Sequence, residues 1–188
     1  MKNYSWFRVR DLYNGKVYPG DYKEEFPSGW WEAFGEMMFE ELDAAIKAEK
    51  LEDEFVFEQI KEKFGELRIY FSPSNDKIHN IINAYAMLSN NICIECGQPD
   101  VSMLNMAWIH PLCKSCYEKQ AQRKRETRPE IEIPSYEEYA MSEPQMANSY
   151  KVTKSRKVGN KYEREEIEYD ISETANKVRE NWNNRRHN

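Results

Sequence analysis

The chain has 188 residues, of which 40% are hydrophobic and 32% charged, and its formal net charge is −6. No run reaches the roughly 18 uncharged apolar residues a membrane-crossing helix needs, and the acidic balance excludes a global attraction to nucleic acid. The one basic stretch is residues 93–128, net +2, which also holds all four cysteines.

The chain opens on strand-forming residues, Tyr4 to Arg10, and polar, turn-forming residues follow through Pro27. Ser28 stands where a helix N-cap belongs. Behind it Trp30, Phe34, Met37, Met38, Leu42, Ala45 and Ile46 recur at helical spacing and predict a helix over about 29–49, with Glu32 and Glu36 suited to its dipole. Two alternating runs between Phe55 and Phe71 flank Gly65 and predict a β-hairpin in which Leu67, Ile69 and Phe71 share a face. Ser72 to Asp76 breaks the chain. Ile78, Ile81, Ile82, Tyr85 and Ala86 then mark a second amphipathic helix ending near Asn90 and Asn91.

Cys93 and Cys96 are separated by two residues, as are Cys113 and Cys116, with sixteen residues between the pairs. Two thiolates at that spacing turn inward onto one ion, and two such knuckles complete the tetrahedral shell zinc prefers. A reducing compartment favours metal over disulfides for clustered cysteines. Residues 1–15 have neither an apolar signal core nor a small-residue cleavage site, so the expected location is cytoplasmic. Gly97 follows the first pair where a knuckle often needs unusual φ. Val101 to Ile109 has room for a short hairpin, and Lys114 to about Arg125 reads as a helix. Knuckle, hairpin, knuckle, helix is the order of a treble-clef zinc finger. Four cysteine ligands leave no open position, so the expected cofactor is one structural Zn²⁺. His110 is expected at the rim of the site.

Beyond residue 128 the composition changes. Arg128 to Pro134 reads as an extended linker and Tyr136 to Asn148 as polar and poor in core residues. Tyr150 to Ile171 has a weak hairpin pattern around Gly159-Asn160, and Ser172 stands as cap of a short helix carrying Ala175, Val178 and Trp182. This tail is either a small ordered arm or disordered alone. The predicted organisation is a core over 1–92, a zinc segment over 93–128 and a linker with arm over 129–188.

Lys114, Lys119, Arg123, Lys124, Arg125 and Arg128 make the helix after the zinc basic, as a nucleic-acid-binding helix would be, though cations also suit a helix C-terminus. The acidic clusters Glu40-Glu41-Asp43 and Glu52-Asp53-Glu54 read as solvated surface. No phosphate loop, nucleophile elbow or acid–histidine pairing stands out, and no small-molecule substrate is evident. On the predicted hairpin, Lys63 and Arg68 alternate with apolar residues, as on the solvated outer face of a one-sided sheet; the alternative makes them part of a recognition surface. Of the adjacent pair Trp30-Trp31, one ring faces the core on a helix and the other points elsewhere, so Trp31 is a candidate exposed anchor or packs under the N-terminal strand.

The phrase His110-Pro-Leu-Cys-Lys-Ser-Cys116 resembles the end of HNH endonuclease domains. The histidine expected after the last cysteine is Tyr117, and only His110 lies between the pairs. Over a longer span, Gly29-Trp30, Gln59-Ile-Lys-Glu-Lys-Phe-Gly-Glu-Leu-Arg-Ile-Tyr70, Cys93-Ile-Glu-Cys-Gly97 and Trp108-Ile-His-Pro-Leu-Cys113 resemble a family of small, uncharacterised phage and bacterial proteins. That family's pattern runs Gly-Trp, "QVKEKFGxLRFY", Cys-x2-Cys-Gly and a second cysteine pair. The resemblance covers about half the chain. It implies phage or prophage origin, hence host-cell cytoplasm, and brings no established activity.

The expected fold is therefore α+β: a helix–hairpin–helix core, an embedded treble-clef-like zinc finger with four cysteine ligands, and a charged C-terminal arm. The expected role is non-enzymatic binding of a host protein or ribonucleoprotein, with inhibition of bacterial immunity, as by an anti-CRISPR protein, as its concrete form. The alternatives are nucleic-acid binding through the 114–128 helix and a degenerate HNH-like nuclease.

Overall fold

A computed structural model describes residues 4–20, 26–158 and 161–187. It is mixed α+β. A four-stranded sheet runs in the order β2-β1-β3-β4, with β1 (Arg8–Arg10), β2 (Val17–Pro19), β3 (Val56–Lys63) and β4 (Glu66–Ser72). β1 lies parallel to β3 and the other pairs are antiparallel. The sheet thus recruits the N-terminus. β2 escaped the sequence reading because it is three exposed residues long, and it is returned to β1 by a turn around Asp11, whose carboxylate accepts from Tyr13 N and Asn14 N.

The β3–β4 hairpin has the expected alternation. Leu67 and Ile69 are buried, with Phe71 half-buried on the same side, and Ile60 pairs with Ile69. Its two-residue turn, Phe64-Gly65, holds both residues at positive φ, +54° and +80°. That is the twist a tight hairpin needs, and glycine supplies it freely whereas phenylalanine does not.

The first helical run begins as α1 (Ser28–Trp30), widens into a π-helical turn (Trp31–Gly35) and continues as α2 (Glu36–Ala48). Ser28 is its first helical residue rather than its cap. The knuckle caps it instead: Gly29 N donates to Ile94 O at 2.9 Å, satisfying a first-turn donor. α3 (Asp76–Ser89) is capped by Asn75, whose side chain accepts from Lys77 N and Ile78 N. α2 and α3 pack together on the sheet. Trp6, from the N-terminal segment, stacks on Phe39 of α2 at 6.2 Å and its Nε1 donates to Asp43 at 2.8 Å, while Phe34 of the π turn stacks on Tyr85 of α3 at 5.3 Å.

The tail carries regular secondary structure. β7 (Ser149–Val158) pairs with β8 (Lys161–Asp170), and α6 (Ser172–Arg186) follows; the turn expected at Gly159-Asn160 lies outside the described residues. Met146, Tyr150, Ile171, Ala175 and Val178 are buried in the same cluster as the residues of the sheet and α2. Ser172 does not cap α6; Asp170 accepts from Ser172 N at 2.8 Å. Asn181 Nδ2 donates to Glu32 O at 3.2 Å and Ala33 O at 2.7 Å, reaching carbonyls within the π turn.

Arg179 closes the arm onto the segment between the cysteine pairs. Its Nε and Nη2 donate to the two Asp100 oxygens at 2.8 and 2.9 Å, and Asp100 also accepts from Met146 N. The guanidinium holds the Asp100 carboxyl below its usual value, so the pair's contribution is present at neutral pH and lost as pH falls through that lowered value. Arg179→Lys keeps the charge but loses the fork. It is expected to lower stability by about 1 kcal/mol, modest because the pair is partly solvated, and by less in acid strong enough to protonate Asp100, as read by urea unfolding.

Candidate metal centre

The second hydrophobic cluster is built around the cysteines, with Cys93 and Cys113 buried among Val101, Leu104, Leu112, Tyr117 and Ala121. In the first knuckle Gly97 N donates to Cys93 O at 2.9 Å and Cys93 N to Gln98 O at 2.8 Å. Gly97 sits at φ +79°, and a Cβ on it would lie 2.5 Å from Gly29 O. β5 (Met103–Asn105) and β6 (Ile109–Pro111) form the hairpin between the pairs, running two residues further than expected. Ile94 N donates to Pro111 O, tying knuckle to hairpin. Cys113 is the N-cap of α4 (Lys114–Thr127), and its sulfur accepts from Cys116 N at 3.4 Å.

All four sulfurs converge, 3.6–3.9 Å from one another, with no disulfide. A disulfide would need about 2.05 Å. A regular tetrahedron of sulfurs about 2.3 Å from a central ion has edges of about 3.8 Å, so the spacing fits a four-thiolate metal shell. The electrostatics agree. Thiols this close cannot share negative charge evenly: Cys113 is lowered by hydrogen bonds from Cys93 and Cys96, while Cys96 is pushed up by its bond to Cys113. Cys116 is pushed up, chiefly by burial. A divalent cation removes this conflict by stabilising every thiolate at once.

His110 is absent from the four-ligand group. It sits on β6 opposite Leu104, with Nε2 buried and unpartnered among the described residues, and burial lowers its pKa. Tyr117, where the HNH resemblance would want a histidine, is buried, stands 5.8 Å from the Tyr136 ring and donates to Pro134 O. The supposed linker and polar stretch thus pack on the centre through Ile133, Tyr136 and Tyr139, the last two on α5 (Tyr136–Tyr139).

Trp31 is not an exposed anchor. It is 6% exposed, packed 6.0 Å from Phe26 and 5.9 Å from Phe39, with its ring against Gly35, where a Cβ would lie 2.5 Å away. Lys63 and Arg68 are exposed on the β3–β4 hairpin, Arg68 pairing with Glu66 at 3.1 Å. Lys119, Arg123, Lys124 and Arg125 are exposed along α4, and Lys124 and Gln120 share a small cleft with Met106 and Ala107 of the β5–β6 loop. The sequence reading missed Phe64 and Trp108, whose rings stack at 6.5 Å while remaining 59% and 56% exposed. The signal was available in Phe64: a bulky residue preceding glycine in a two-residue turn. Among the described residues no helix is long and apolar enough to cross a membrane. No family model, curated protein or solved structure matches this chain.

Proposed function

We propose that this chain is a non-enzymatic protein that binds a macromolecular host target, its binding surface held in shape by one structural zinc ion. The carrying observation is the closed tetrahedron of four sulfurs, which leaves a bound ion no position for substrate or water. Tetrahedral four-sulfur sites suit zinc or iron, and zinc is the usual ion of a structural site built from two Cys-x2-Cys knuckles. The succession of knuckle, β5–β6 hairpin, second knuckle and α4 supports a treble-clef reading. Cys93, Cys96, Cys113 and Cys116 would hold the ion, and it would supply no chemistry beyond joining the start of α1, the β5–β6 hairpin and α4.

The phage-like sequence pattern supports a host protein or ribonucleoprotein as target and, as the concrete version, a role as an inhibitor of bacterial immunity. Affinity purification from the host with and without nuclease treatment, followed by mass spectrometry, tests this. A defined host component should be enriched, and expression should raise phage plaquing on immune hosts; unchanged plaquing and no enriched component contradict it. Exposure of Lys119, Arg123, Lys124 and Arg125 along α4 favours a second reading, nucleic-acid binding by that helix. Reversing the charge of Arg123, Lys124 and Arg125 together separates the two, because only the second reading then loses binding and its salt dependence.

A further inference from the structure

Two hairpins meet at the turn of β3–β4. The Phe64-Gly65 turn presses on the metal segment so closely that a Cβ on Gly65 would lie 2.4 Å from Met103 Sδ and 3.2 Å from His110 Cα. Glu62 locks the junction, accepting from Gly65 N at 2.5 Å and from Trp108 Nε1 at 3.1 Å. The result is a fixed pair of rings, Phe64 and Trp108, inclined at 22° and more than half exposed.

This arrangement opposes local preference. Phenylalanine at φ +54° is in the left-handed region that bulky residues avoid, at a cost of about 1–2 kcal/mol, and asparagine is the residue that turn favours. An exposed phenylalanine gains little from burial in return. Such a departure marks a place where something other than stability sets the residue.

Cations accompany the rings. Lys63 Nζ lies 5.5 Å from the Phe64 centroid, and Lys61 Nζ lies 5.4 Å from that of Tyr70, itself 50% exposed on β4. Arg68, opposite Lys61, extends the row. Of the nearby acids, Glu66 is paired with Arg68 and Glu62 is turned onto Trp108 and Gly65. Met106 and Ala107, which precede Trp108 in the β5–β6 loop, line a small cleft with Gln120 and Lys124 of α4.

We infer that the Phe64–Trp108 pair and its flanking lysines form a binding site for single-stranded nucleic acid. Bases stack on the exposed rings while the cations of the hairpin and α4 follow the phosphates. Exposed rings interleaved with cations are what sequence-tolerant single-strand binding requires. The inference rests on the reading of the chain as a macromolecule binder and gives that partner a nucleic-acid component. It is distinct from groove binding by α4, because it predicts preference for single strands and dependence on two aromatic residues outside that helix.

The test uses the full chain as purified and fluorescence anisotropy with labelled 12-mer oligouridine, oligodeoxythymidine and a 12-base-pair duplex. The single strands should bind more tightly than the duplex, weaken as salt is raised, and quench tryptophan emission. Comparing the two single strands tells an RNA target from a DNA one. Phe64→Asn and Trp108→Ala should each weaken single-strand binding about fivefold or more, the loss of one stacked base. Phe64→Asn should leave the melting temperature unchanged or raise it, because it relieves the turn; a purely structural Phe64 would lower it. Absence of single-strand binding, or binding indifferent to both substitutions, overturns the inference. Loss of a captured host protein in Phe64→Asn, with no oligonucleotide bound by the parent, assigns the platform to a protein partner. That outcome overturns the inference while the reading as a macromolecule binder stands.

Discussion

Replacing Cys113 with serine is expected to abolish metal binding and to destabilise the chain more than any other single substitution. Cys113 is a member of the sulfur tetrahedron, the N-cap of α4, and the acceptor for Cys116 N. Serine is close to isosteric, so the effect is not one of packing. A structural zinc site contributes an apparent 10–16 kcal/mol or so of binding free energy, which is also folding free energy where the apo site is not preformed. Losing even part of it rivals the roughly 5–15 kcal/mol net stability of an ordinary domain. The cluster around the cysteines is small: its buried apolar members are Val101, Leu104, Leu112, Tyr117 and Ala121, with Ile133, Tyr136 and Tyr139 packed against them. Elemental analysis should find less than a tenth of the parent's metal. Circular dichroism should show a much lower or broadened melting transition. A variant with parental metal content and melting would remove Cys113 from the site.

The second large effect is predicted at a residue that ligates nothing. Gly29→Ala places a methyl 2.4 Å from Cys93 O and 2.6 Å from Ile94 C and O, all backbone atoms that cannot swing away. Alanine in a helix is otherwise favoured over glycine by about 1 kcal/mol, so propensity alone predicts stabilisation. The structure predicts the opposite sign, a loss of about 2–3 kcal/mol of the size seen on overpacking a close contact. The Gly29 N bond to Ile94 O and the Trp30 Nε1 bond to Ile92 O, 2.8 Å, are strained with it. Thermal unfolding decides the sign. A neutral or stabilising Gly29→Ala would mean that α1 does not rest on the knuckle.

These two effects show what the sequence could and could not convey. The cysteine pairs were legible from spacing alone, because ligand geometry is local to each pair. So was the face shared by Leu67, Ile69 and Phe71, because alternation is local to a strand. The cap of α1 was not legible, because the acceptor for Gly29 N is a carbonyl in the knuckle, far along the chain. Trp31 misled for a related reason. Adjacency to a buried Trp30 predicts an outward ring on a regular helix, but the π turn alters the angular step, and Gly35 makes room beneath the ring. The carbonyls of that turn are bonded by Asn181, in the part of the chain whose order the sequence left open. The tail's buried residues, Met146, Tyr150, Ile171, Ala175 and Val178, are too sparse to show a period. Their partners, such as Asn80 O for the Tyr150 hydroxyl, belong to other elements.

The metal centre joins these observations, and the most direct test of it is the metal content of the protein as purified, combined with titration of its thiols before and after metal removal. The account predicts one zinc per chain, thiols that do not react in the native state, and four that react once the ion is withdrawn. A protein with no bound metal and four freely reactive thiols, or with two disulfides in their place, would contradict it.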